Sequence, residues 1–322
     1  MPSWNRSDTS AQSAVLRRAR TNLVAWDHVA PDGEQVRVWS NQAGVPSRPD
    51  AVPVIACAGL GTPPESWPTL LAQPERFELY GAYYRGTMGS PQPDRAPTVD
   101  DHVGDLVALM DDRGIERAVL LGWSMGVTLA CELALRHPER VAGILGVAGV
   151  PGDTFSALAG PLPVPRVLRR PLGFVGARAL SLGGPVLNAA LRTVPLGPTT
   201  WVLRHTIALP RAGGPYFDAL VGEFLHHDYT WYFRMAAASA RHPRIDLSRV
   251  RVPVELIGGR WDVITSASHI AECADELPDG RFDLLPGSHF LVSEFADDLE
   301  RALVALAARV GLTVPPAVEA VS

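Results

Sequence analysis

The chain of 322 residues carries 29 basic and 34 acidic side chains, a formal charge of −5, with 47% hydrophobic and 20% charged residues. This is a soluble balance, long enough for a large α/β core with an insertion, and its negative charge argues against nucleic acid as a partner. Every basic residue is arginine, which excludes Schiff-base chemistry, a Ser-Lys dyad and a P-loop lysine.

Residues 1–20 read as a flexible polar leader without the apolar stretch of a signal peptide. "LVAWDHVAPDGEQVRVWSN" reads as two strands joined by a turn at Pro31-Asp32-Gly33, and "AVPVIACAG" as a buried strand. "PPESWPTLLAQ" opens a helix at its prolines, and "RFELYGAYYRG" is a strand. "TVDDHVGDLVALMDDRG" has helical spacing, an acidic first turn and a glycine stop. Strand "RAVLLG", helix "MGVTLACELALRH" and strand "VAGILGVAG" follow.

The rhythm breaks at Pro151. Residues 151–248 read as helical pieces without a clear strand, and are expected to form a lid. Strand "VPVELIGG", a helix near 266–277, strand "GRFDLLP" and closing helix "EFADDLERALVALAARV" complete the pattern, before a tail at 313–322. The expected architecture is therefore a mostly parallel sheet with helices on both faces. The core comprises 21–150 and 249–312, with one helical insertion between.

Cys57, Cys131 and Cys273 are far apart and form no Cys-x-x-Cys pair, so neither a zinc ribbon nor a thioredoxin-like site is indicated. A reducing cytoplasm is the expected location. No run of about 18 apolar residues marks a membrane span. Neither a metal, another cofactor nor a membrane is expected.

"LGWSMG" places Ser124 between Gly122 and Gly126, where a strand turns directly into a helix. Glycines on either side remove the Cβ atoms that would clash in so sharp a turn. The serine then stands at a helix N-terminus, where a backbone N–H and the helix dipole stabilise a developing oxyanion. A serine hydroxyl needs a base, and the base an orienting acid. Asp262, in "GGRWD", follows one strand end. His289, in "PGSHF", follows the next. Both positions lie where open α/β sheets build their sites.

Asp153, after the strand ending near Gly149, is the alternative acid. Among the other histidines, His102 reads as solvated at a helix start and His137 as a cap at a helix end. His226, His227 and Asp228 are adjacent, so their side chains diverge on a helix and do not suit a metal.

The chain resembles the α/β-hydrolase superfamily over nearly its whole length. "CAGLGTPPESWPTLL" resembles the family's oxyanion loop after the third strand, "YYRGTMGSP" its Arg-Gly-rich turn after the fourth, and residues 99–149 its central segment. The resemblance implies Ser124 as nucleophile, His289 as base and Asp262 as acid. The backbone N–H groups of Leu60 and Met125 would form the oxyanion hole. Two departures stand out. Ala58-Gly59 replaces a common His-Gly, and Tyr83 takes the place of an acid after strand four, at the cost of a structural hydrogen bond.

Relatives that open epoxides or remove halides use an aspartate nucleophile. Serine implies acyl transfer to water on an ester or lactone of a small to medium apolar substrate. C–C bond hydrolysis, cofactor-free peroxidase-like chemistry and a non-catalytic receptor remain as alternatives. Trp201, Tyr216, Phe217, Phe224, Phe233 and Met235 are available to line a pocket or to pack the lid's own core. The lid carries ten arginines against five acids, a field that would draw an anionic substrate if it is not simply a solvated helical surface.

Overall fold

The short apolar runs become the strands of one eight-stranded sheet in a computed structural model of the protein, which describes residues 9–44, 50–152, 155, 165–197, 199, 201 and 214–317. The strands are β1 (Val24–Val29), β2 (Gln35–Ser40), β3 (Val52–Cys57), β4 (Phe77–Ala82), β5 (Ala118–Trp123), β6 (Val141–Val147), β7 (Val254–Gly259) and β8 (Gly280–Leu285). Their spatial order is β1-β2-β4-β3-β5-β6-β7-β8. β2 is antiparallel to both neighbours and the other pairings are parallel.

The helices are α1 (Thr9–Asn22), α2 (Pro68–Leu71), α3 (Val99–Asp112), α4 (Met125–Arg136), α5 (Arg166–Leu182), α6 (Gly184–Leu191), α7 (Pro215–Phe224), α8 (Tyr229–Ser239), α9 (Ala267–Glu276), α10 (Leu291–Glu294) and α11 (Ala296–Arg309). Strand alternation splits the core into two layers. Ile55, Leu120 and Ile144 pack under α3, α4 and α9, while Val54, Val119, Leu121 and Leu145 pack under α1, α2 and α11. Burying both faces explains why β5 and β6 read as unbroken apolar runs.

α3 starts where the sequence implied. Thr98 accepts from the Asp101 N–H, and Asp101 accepts from the Thr98 N–H, a reciprocal cap that contributes about 1 kcal/mol. The turn after β4 is fixed by Arg85, which bonds Asp105 of α3 at 3.0 Å and Asp32 at 2.6 Å.

Several expectations are corrected. The leader is not loose throughout, because Thr9–Asn22 form a helix whose Leu16 and Ala19 are buried and whose Arg18 bonds Glu75 at 3.1 Å. The helix expected over "PPESWPTLLAQ" is a 3₁₀ turn at Pro64–Ser66 and then α2, divided where Pro68 removes a donor. The closing helix stands as α11, and the single turn α10 precedes it across Phe295. His102 is buried rather than solvated, packed edge-on against Tyr84 with ring centroids 4.5 Å apart. The tail begins attached to the core, since Arg76 donates to the Pro315 carbonyl at 2.8 Å.

Between β6 and β7 the described residues form α5 to α8 and a 3₁₀ turn, with no strand. No single helix among the described residues is long and apolar enough to cross a membrane.

Candidate active site

The parallel strands deliver three loops to one edge of the sheet. β5 ends at Trp123, and Ser124 follows with φ 54° and ψ −118°, a left-handed conformation that a non-glycine residue adopts only when its surroundings impose it. The surroundings do so. Ser124 N–H donates to the Val147 carbonyl at 2.9 Å, and α4 begins at the next residue. A Cβ on Gly126 would lie 1.8 Å from the Cys57 carbonyl oxygen, so only glycine lets α4 pass so close to the end of β3.

β7 and β8 deliver the other two residues. Trp261 N–H donates to the Gly287 carbonyl at 2.9 Å, which ties the Asp262 loop to the His289 loop. Asp262 is 2% exposed; its Oδ1 accepts from the Ile264 and Thr265 N–H groups at 2.8 and 2.7 Å. Its other oxygen, Oδ2, lies 2.8 Å from His289 Nδ1. His289 Nε2 lies 3.1 Å from Ser124 Oγ. The His289 carbonyl in turn accepts from Trp123 Nε1 at 3.0 Å, so the residue before the serine holds the histidine loop in place.

Leu60 and Met125 border the same cavity as Ser124, and neither backbone N–H finds an acceptor among the described residues. The first N–H groups of a helix lack partners by construction, which accounts for Met125. Asp153 lies outside the described residues. His137 ends α4, with its N–H bonded to the Leu133 carbonyl. Among the described residues no group of three His, Cys, Asp or Glu side chains is placed to hold a metal ion.

The comparisons with known proteins agree with this architecture. A profile described as the alpha/beta hydrolase fold matches residues 52–295. The chain belongs to the α/β-hydrolase family. Among its relatives is "Putative carbamate hydrolase RutD" of Caulobacter sp. (strain K31), 28% identical over 251 residues, 74% of this chain and 84% of that protein. Epoxide hydrolase B of Mycobacterium tuberculosis is 31% identical over 110 residues, which cover 29% of this chain and 30% of that one. The crystal structure of an enol-lactonase from Burkholderia xenovorans LB400 superposes with a TM-score of 0.65 at 21% identity, over 88% of this chain and 100% of that chain. At that identity the likeness shows the fold alone.

Within this α/β-hydrolase frame, several groups around the site were not picked out from the sequence. Tyr84 donates to the Ala58 carbonyl at 2.7 Å, so a phenol on the turn after β4 braces the loop that carries Leu60. Burial holds the Tyr84 phenol well above its ordinary pKa, which keeps the proton it donates. His227 Nε2 lies 2.5 Å from the Gly61 carbonyl and braces the same loop from the inserted helices. Burial pushes the His227 pKa down.

The cavity beside Ser124 has a volume of about 350 Å³ and is walled by apolar side chains of the inserted helices, Leu172, Leu180 and Phe233 among them. Of the aromatic candidates, Phe233 lines it. Phe217 packs with Val221 against Phe290, Tyr216 against Leu16, and Met235 in the main core. Tyr232 lines it as well, meeting Phe224 and Phe233 edge-on and His227 at a tilt, and its hydroxyl meets no partner among the described residues. A tyrosine four residues before an alanine on one helix face carries no signal of its own. Only packing shows which way it points.

Proposed function

We propose that the protein is a serine hydrolase that cleaves a carboxylic ester or lactone through an acyl-enzyme. The observation that carries this reading is the continuous chain Ser124 Oγ, His289 Nε2, His289 Nδ1, Asp262 Oδ2, at 3.1 and 2.8 Å, on a serine held at positive φ. In this reading Ser124 Oγ attacks the substrate carbonyl carbon while His289 Nε2 takes the hydroxyl proton. Asp262 accepts from Nδ1–H, which fixes the tautomer and favours the imidazolium. The carbonyl oxygen becomes an oxyanion that accepts from the Leu60 and Met125 N–H groups. His289 then gives its proton to the departing alkoxide. A water, deprotonated by the same nitrogen, splits the acyl-enzyme and restores Ser124.

The inserted helices act as a lid. Their apolar wall suits a hydrocarbon acyl or alkyl group, and a volume of about 350 Å³ suits a small to medium one. Epoxide opening is disfavoured because the nucleophile position holds Ser124 rather than an aspartate. A carbamate is the second reading. It rests on the similarity to RutD over 74% of this chain, and a carbamate carbonyl presents the same electrophile to Ser124.

The test is turnover of p-nitrophenyl acetate and butyrate beside a carbamate of similar size. Ser124→Ala is expected to lower kcat by about 10³-fold or more with an unchanged melting temperature. A fluorophosphonate should label the wild type at Ser124. Labelling elsewhere, or unchanged turnover in the variant, would overturn the assignment, and preferential carbamate turnover would favour the second reading.

A further inference from the structure

α5 is turned inside out relative to a surface helix of a soluble protein. Its inward positions Arg169, Gly173, Ala177 and Ser181 recur every four residues and are buried. Arg170 beside them donates to the Ala240 and His242 carbonyls at the end of α8. The outward stripe is Leu168, Leu172, Val175, Ala179 and Leu182, spaced alternately by four and three residues. It is the apolar periodicity that ordinarily faces a core. Here Leu172 is 57% exposed, Val175 63% and Leu182 77%, with Val167 at 79% and Val186 of α6 at 76%. Scattered exposed aliphatics need no explanation, but an exposed apolar stripe along a whole helix, with a further exposed valine on the next, marks an interaction surface.

The charge on this segment identifies the partner. Residues 165–197 contain five arginines and no aspartate or glutamate. Arg178 and Arg192 are exposed. Arg178 also borders a cleft of about 520 Å³ together with Arg234 and Arg241 of the α8 region. A second copy packed on this segment would bring its arginines against the same arginines, because the segment itself supplies no acid. The nearest acids, Asp100 in the cleft and Asp228 beside α6, are already bonded to Arg136 and to Asn188. An anionic lipid surface supplies both missing complements, hydrocarbon for the stripe and phosphates for the guanidiniums. The two helices meet at a 70° bend, and neither is long and apolar enough to cross a bilayer. Their geometry suits lying along a surface.

We propose that α5 and α6 dock the protein on an anionic lipid surface, with Leu168, Val175, Leu182 and Val186 in the acyl boundary and Arg178 and Arg192 at the headgroups. This departs from the expectation of no membrane partner, which the absence of a spanning run suggested. It has a consequence for the cavity. Leu172, at the edge of the exposed stripe, also lines the cavity beside Ser124, so one wall of that cavity borders the face on which lipid would lie. An apolar substrate dissolved in the bilayer would reach the serine without passing through water.

The test is flotation of the purified full-length protein with vesicles rich in phosphatidylglycerol, and with vesicles of phosphatidylcholine alone. The wild type is expected to float with the first, and to bind the second at least about tenfold more weakly, with binding reduced at about 0.5 M salt. Val175→Glu combined with Val186→Glu should reduce binding at least about tenfold while turnover of a soluble ester is unchanged. Arg178→Gln with Arg192→Gln should remove the preference for the anionic vesicles. No flotation of the wild type, or binding indifferent to lipid charge, would overturn the proposal. So would a concentration-dependent dimer in vesicle-free buffer that the two glutamates dissociate.

Discussion

Asp262 meets His289 with one carboxylate oxygen at 2.8 Å from Nδ1 while its other oxygen accepts two backbone N–H groups, from Ile264 and Thr265. The carboxylate therefore has no freedom to rotate, and the imidazole ring is held through it. Asp262→Asn keeps the shape and the two backbone bonds through its amide oxygen, but presents an NH₂ donor to Nδ1. The neutral imidazole must then carry its proton on Nε2, facing Ser124. The expected loss in kcat is on the order of 10⁴-fold, as in the best-studied serine triad. Ester turnover with a melting curve checks it, and a loss of less than about tenfold would show that Asp262 does not orient the base.

The close approach of α4 to β3 gives a contrast between two glycines. Gly126→Ala would place a Cβ 1.8 Å from the Cys57 carbonyl, a backbone atom that has no room to move. It should cost about 3 kcal/mol or more. Gly104 sits inside α3, and a Cβ there would meet nothing within 4 Å. Gly104→Ala should stabilise by up to about 1 kcal/mol, since alanine loses less backbone freedom in a helix. Urea denaturation of both variants checks the pair, and equal midpoints would contradict the stated geometry.

Arg85 and Asp105 are 3% and 0% exposed, buried together beneath the turn that carries Tyr84. Asp105→Ala leaves the guanidinium with the half-exposed Asp32 as its remaining carboxylate. Removing one partner of a buried pair strands the other charge, so the expected loss is about 3 kcal/mol. The Asp105→Asn variant should recover part of it by accepting from Arg85. A loss below about 1 kcal/mol in urea denaturation would show that Asp32 alone suffices.

The burial of His227 makes stability depend on acid. Burial holds the His227 pKa below the ~6.5 of a free imidazole, against the opposing pull of the Gly61 carbonyl. Between the two values the unfolded chain binds more protons than the folded one. The stability from this residue is thus fully present above about pH 6.5 and falls as pH drops through the folded value, by at most about 1.4 kcal/mol per pH unit. His227→Gln retains a donor for Gly61 and should flatten that slope. Denaturation midpoints of wild type and variant at about pH 8 and about pH 5.5 check this. Parallel acid losses in the two proteins would assign the slope to other groups.

Much of the fold was legible because the sheet is covered on both faces. β5 and β6 bury every side chain, so their apolar runs end sharply at Gly122-Trp123 and Val147. The positions of Ser124 and Asp262 follow from the same fact, since β5 and β7 are buried almost throughout, whereas His289 follows β8, an edge strand that is only partly buried. A residue placed just beyond such a run stands at the sheet's edge, whatever the rest of the chain does. Where burial is one-sided or local, the sequence misled. α1 is largely polar, and a few residues such as Leu16 and Ala19 anchor it. His102 looked solvated among acids, yet α3 turns it under Tyr84.

The sequence by itself determined a parallel α/β core and the sharp turn at Ser124, because each depends on residues adjacent in the chain, while it left the acid open between Asp262 and Asp153. Tertiary structure alone decided that His227 reaches the Gly61 carbonyl, 166 residues away, that Tyr84 holds Ala58, and that Tyr232 faces the cavity. It also decided which side of α5 faces out. The stripe from Leu168 to Leu182 has the same 3.6-residue period whether it meets a core or water, and periodicity carries no direction. Direction is set by what packs on the other side, where Ala177 and Ser181 are small enough to let α8 come close and Gly173 makes room for Phe155.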